Sequence, residues 1–197
     1  MPRTLPAALL ALAAVTSGCL PARPLATTSS PVPALEVEVD ESFYDVAGLD
    51  PRELNVQLMR RGPRHEGRSW QGRTDFRVAY SYLARSGGDG CRADEPRVSV
   101  RLVTTLPRWK DRKDAPAQLG ADWDLYLSRL RDHEEGHRRI AIDAGRDLLL
   151  DVAVLSAPDC EALRKSALRI AADYQSLVTF EQRGWDERTQ YGLVAGN

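Results

Sequence analysis

Hydrophobic and polar positions follow a two-residue period in the first half of the folded sequence and a helical period in the second. Leu35, Val37 and Val39 alternate with acidic residues and lead into Phe43, Tyr44 and Val46, which predicts a half-buried strand or a bent pair. Asp50 stands as a cap before Pro51, Glu53 falls on the first turn, and Leu54, Leu58 and Met59 share a face before Gly62, so a short helix is expected. From Ser69 to Arg85, Trp70, Phe76, Val78, Tyr80 and Tyr82 keep even spacing. A tight turn at Gly87-Gly88-Asp89-Gly90 then leads to an answering strand with Val98, Val100 and Leu102, ending at Leu106-Pro107-Arg108-Trp109.

The period then changes. Trp123, Tyr126, Leu127, Leu130, His133, His137, Ile140, Ala141, Ala144 and Leu148 recur at three- and four-residue steps, and no proline interrupts the chain between Pro116 and Pro158. One long helix is expected, with Asp122 as its N-cap and Gly145 as its weakest point. Ser156 is placed to cap a second helix near Pro158, whose face carries Leu163, Ala167, Ile170, Ala171, Tyr174 and Val178. Gly184 to Asn197 lacks periodicity, holds three glycines and reads as a loop. The expected class is α+β, with a small antiparallel sheet packed on the long helix and a second, C-terminal helix.

The two ends of the chain differ in composition. Arg3 followed by the apolar run Leu5 to Val15, too short to span a membrane, reads as an export signal over residues 1–18. Thr16-Ser17-Gly18-Cys19 resembles a lipobox, although Thr16 stands where leucine is usual, so Cys19 is the candidate lipidation site and the membrane would be met only through that anchor. Residues 19–34 are rich in Pro, Ala, Ser and Thr and read as a tether, leaving residues 35–197 as the domain, at work in the periplasm or on the outer membrane. With Cys19 assigned, Cys91 and Cys160 remain, a pair suited to one disulfide outside the cytoplasm. A net charge of −1 with 28% charged residues gives no reason to expect nucleic-acid binding, and the five arginines between Arg60 and Arg73 read as a solvated loop.

The candidate chemistry lies in His133-Glu134-Glu135-Gly136-His137, an HExxH spacing. On a helix, residues four apart share one face, so both imidazoles can reach one zinc ion while Glu134 leans toward it as general base. Arg138 and Arg139, next along the helix, read as solvated charges.

Several linked motifs carry a resemblance to a bacterial family of predicted secreted zinc-dependent proteases, formerly a domain of unknown function. They are Gly62-Pro63, Gly90-Cys91, Leu106-Pro107-Arg108-Trp109, the HEEGH helix, Cys160, and the tail Trp185-Asp186-Glu187-Arg188-Thr189-Gln190-Tyr191-Gly192, within a span of roughly Phe43 to Gly196. The resemblance implies a zincin-like fold and a catalytic zinc. In the tail the family shows Asp-x-x-Thr-x-His-Gly, and this chain has Tyr191 at the histidine position.

A catalytic zinc takes three protein ligands, so the motif's histidines need a partner. His65 sits in the arginine-rich loop. Asp143 turns away from the histidine face on an unbroken helix, and Asp147 lies roughly 15 Å further along the axis. Glu161, Asp173 and Glu181 belong to the second helix, while the tail offers Asp186 and Tyr191, whose phenol can ligate zinc or donate to an oxyanion. The expectation favours the tail. The chain as a whole reads as an exported zinc-dependent peptidase acting on a peptide or protein, with cell-wall peptide as another substrate the same chemistry permits. The competing reading is an inactive envelope-tethered binding protein with a relic site.

Overall fold

The computed structural model describes residues 33–190 and is α+β, with a mixed sheet and three helices among those residues. Strand β1 spans Ala34–Val46 and helix α1 Pro51–Arg61. The short strands β2 (Arg64–His65) and β3 (Arg68–Ser69) pair with each other. Strand β4 (Arg73–Gly87) and strand β5 (Gly90–Trp109) form the hairpin predicted around Gly88 and Asp89. Helix α2 (Ala117–Ala153), strand β6 (Ser156–Ala157) and helix α3 (Cys160–Arg188) complete the described elements.

The sheet order is β1-β5-β4, with β6 bridged to the start of β5. Strand β1 is parallel to β5, not antiparallel as the alternation suggested. Alternation reports which face is buried and carries no strand direction. The sign of charge carries more: acidic side chains of β1 meet arginines of β5 at Glu36–Arg97 (3.8 Å), Glu38–Arg101 (2.6 Å) and Asp45–Arg108 (2.7 Å). Each exposed pair is worth little alone, but a slip by one residue would break all three while moving apolar positions to the wrong face.

Strand β5 begins earlier than the apolar run implies because a bulge lies inside it. Ser81 pairs with Arg97 and Leu83 with Asp94, which leaves Glu95 and Pro96 opposite Tyr82 alone, with Glu95 at φ 51°. A bulge tolerates the missing proline N–H. Pro107 also falls within β5, where the ladder with β4 has already ended at Thr105.

Helix α1 matches its prediction, with Asp50 Oδ1 accepting from the backbone N–H groups of Arg52 and Glu53. Three other boundaries differ. Helix α2 starts at Ala117 behind Pro116, so Asp122 is internal and accepts from Gln118 instead of capping. Ser156 enters β6, and the cap of α3 is Asp159, whose Oδ1 accepts from Ala162 N at 2.8 Å. Helix α3 runs on through Gly184 to Arg188, where a loop was expected. Residues 1–32, with the expected signal, Cys19 and most of the tether, lie outside the described residues, as does Tyr191. No helix among the described residues is long and apolar enough to cross a membrane.

Two apolar clusters flank the middle of α2. One packs Val98, Val100 and Leu102 of β5 against Ala141, Leu148, Leu149 and Val152 of α2. The other joins Val46, Leu54, Leu58, Trp109 and Trp123. Gly145 has a packing reason: a Cβ there would lie 2.4 Å from Val100 Cγ2, so the glycine lets α2 lie close on the sheet.

The predicted disulfide is present between Cys91 and Cys160 and ties the start of β5 to the start of α3 across 69 positions. Replacing both cysteines by serine should lower unfolding free energy by about 2–5 kcal/mol. A urea denaturation midpoint that does not move would refute that role.

Candidate metal centre

The middle of α2 carries a buried polar segment, with His133 and Glu134 6% and 3% exposed. The end of α3 meets it through Gln182, Trp185, Asp186 and Thr189, which are spaced three, one and three apart and therefore share one helix face. His137 Nε2 lies 3.1 Å from His133 Nε2 and 3.0 Å from Asp186 Oδ1, and His133 Nε2 lies 3.3 Å from the same oxygen. A tetrahedral ion with bonds of about 2.0–2.1 Å separates its ligands by about 3.3 Å. The two nitrogens and one oxygen thus form a triangle of the size one ion requires, and His133, His137 and Asp186 form a group able to hold a metal.

Hydrogen bonds behind the imidazoles fix which nitrogen faces the centre. Thr189, fully buried, donates its one hydroxyl proton to Trp185 O at 2.7 Å, so its oxygen accepts from His133 Nδ1–H at 2.8 Å. Gln182 Nε2 donates to His137 O at 3.0 Å, which turns Oε1 to accept from His137 Nδ1–H. Both rings are held as Nδ1–H tautomers with the Nε2 lone pair directed inward, the state a metal ligand needs.

Gly136, the small residue of the motif, accounts for the close approach of the helices. A Cβ there would come within 2.1 Å of the Trp185 ring. Trp185 stacks near His133 and donates Nε1–H to His133 O at 2.9 Å, anchoring the turn that carries Asp186.

Glu134 stands beside the donors without joining them. Its Oε2 accepts from Thr74 on β4 at 2.7 Å, and Thr74 is bonded in turn to buried Thr104 on β5 at 3.1 Å. On the other side, a Cβ at Gly72 would lie 2.9 Å from Glu134 Oε1, so glycine keeps that oxygen's approach open. Burial raises the Glu134 carboxyl above the ordinary glutamate range, against the opposing pull of His137, Thr74 and His133. Burial alone would raise Asp186 too, but the adjoining His133 and His137 rings hold it down at about 2. Burial lowers His137, and Asp186 and Glu134 more than reverse this, leaving it raised.

The other sequence candidates are elsewhere. His65 faces Glu66 in the β2–β3 hairpin, Asp143 pairs with Arg146, and Glu161 pairs with Arg164 and Lys165. Asp147, Asp173 and Glu181 are not in the donor group. Arg138 and Arg139 both face Glu135. Gln182 and Thr189 were not anticipated as partners of the histidines, although their spacing to Asp186 is a helical polar stripe readable in the sequence.

The family model for "Bacterial protein of unknown function (DUF922)" matches residues 41–192. The chain belongs to this family. No curated protein and no solved structure matches it. The DUF922 span contains the histidines, Glu134, Asp186 and Thr189, so the whole centre lies within the family domain.

Thr189→Val, which keeps the shape and removes the hydroxyl, should weaken divalent metal binding about 10–100-fold. Gly136→Ala should weaken it as well by displacing Trp185 and with it Asp186. Metal titration with a competing chelator checks both, and unchanged affinity in Thr189→Val would remove that residue from the centre.

Proposed function

We propose that this protein is a zinc-dependent peptidase that hydrolyses amide bonds. The observation that supports it most is the triangle of two imidazole nitrogens and one carboxylate oxygen beside a separate, buried glutamate. Three protein donors of the N,N,O type suit a catalytic zinc, and Asp186 takes the place left open beside the HExxH histidines. Zinc in such a site supplies Lewis acidity toward water and an amide carbonyl.

The chain's own groups do the rest. Glu134, held by Thr74 through one oxygen and open at the other, takes the proton from the attacking water and delivers it to the departing amine nitrogen. Its raised pKa makes it a better acceptor of the water's proton than an ordinary glutamate. His133, His137 and Asp186 keep their positions because Thr189, Gln182 and Trp185 restrain them. The Cys91–Cys160 disulfide favours work outside the cytoplasm, in keeping with an N-terminal export signal and an anchor at Cys19.

Purified protein should carry one zinc, lost in the double variant His133→Ala/His137→Ala and in Asp186→Ala, while Tyr191→Phe should keep it. Glu134→Gln should retain the metal and lose about 10²–10⁴-fold in kcat/KM on peptides. Metal-free wild-type protein that is fully folded, or a Glu134→Gln variant as active as wild type, would rule the reading out.

A further inference from the structure

A cleft of about 330 Å³ opens onto His133 and Glu134. Its apolar walls are Met59 of α1, Trp70 just after β3, and Leu130 of α2, one helical turn before Glu134, and Gln190, past the end of α3, adds a polar side. Leu130 is 5% exposed, whereas Met59 is 49% exposed even though it adjoins this apolar wall. An apolar surface left open beside a buried acid and a metal centre has the character of a ligand site. Arg68 stands at the rim and Ser69 lies between it and Trp70, with a buried hydroxyl that has no hydrogen-bond partner.

Resting on the peptidase reading, we propose that this cleft receives one bulky apolar side chain of the substrate, of the leucine, methionine or phenylalanine class, next to the bond that is cut. Size limits the occupant: ligand cavities span about 300–1,000 Å³, and one at the lower end holds a single large side chain with its local backbone. Chemistry limits it further. An alanine methyl would leave Met59 and Trp70 wet, an acidic side chain would lose hydration against them, and a lysine or arginine would meet Arg68 at the entrance. The cleft therefore selects protein-like peptides over cell-wall peptides built from alanine-sized and acidic residues.

The test uses zinc-loaded full-length protein and quenched fluorescent peptides that differ at one position, carrying Leu, Phe, Ala, Glu or Lys. In parallel, the same peptides are titrated calorimetrically into zinc-loaded Glu134→Gln protein, so that binding is read without turnover. Leu and Phe peptides should exceed the Ala peptide by at least about tenfold in kcat/KM and in affinity, and Glu and Lys peptides should be poorer still. Met59→Ala should reduce the Leu-to-Ala ratio while zinc content stays at one. Cleavage of all five at equal rates would overturn the subsite and leave the peptidase reading standing. Selective binding of Leu and Phe peptides with no cleavage by wild type would support the subsite and overturn the peptidase reading. Neither binding nor cleavage of any peptide by the zinc-loaded forms would overturn both.

Discussion

Three lone-pair donors held within 3.3 Å of one another repel unless positive charge lies among them, and the contact between the middle of α2 and the end of α3 enforces that closeness. Two kinds of restraint act there. Steric fit comes from Gly136, without which Trp185 could not approach, and electronic orientation comes from Thr189 and Gln182, which commit each ring to one tautomer. Because both restraints act through α3, the centre depends on that helix continuing to Arg188, about three turns beyond Val178, the last of its buried apolar side chains. The disulfide at the other end of α3 fixes where the helix begins, so its register along α2 is restrained by a covalent bond at one end and polar contacts at the other.

The sheet contributes through one residue pair. Thr104, buried in the central strand, bonds Thr74 on the edge strand, and Thr74 bonds Glu134. Pairing of Thr74 with Thr104 in the β4–β5 ladder sets the position of that hydroxyl, so the mixed sheet orients the acid as the helix pair orients the donors. A buried carboxylate with one oxygen bound and the other facing a glycine is restrained in rotation yet reachable, which a proton shuttle needs.

How much of this was legible beforehand varies with the kind of signal. The long helix, the short capped helix, the Gly88–Asp89 hairpin and the Cys91–Cys160 pair all follow from local rules that act over a few residues or from a simple count. Strand direction was lost because β1 meets β5 across 63 sequence positions, as at Ser42 and Thr105, and period two is the same in either direction. The end of α3 was lost for a different reason. Helical periodicity is legible in apolar residues, but beyond Val178 the inward face becomes Gln182, Asp186 and Thr189, and Gly184 lies among them.

That last failure is informative about the site itself. An inward polar stripe cannot be stabilised by apolar burial, and each of its groups costs free energy unless it finds a partner. Here Gln182 bonds His137, Trp185 bonds His133 O and Thr189 bonds His133, while Asp186 stands with the two imidazoles as the third donor of the centre. Such a stripe persists in a helix only where a second polar surface answers it, and on this chain that surface is the HExxH face of α2. Local sequence rules and the tertiary structure therefore disagree here, where packing is organised around donors instead of hydrocarbon, as expected where a chain gives up core for chemistry.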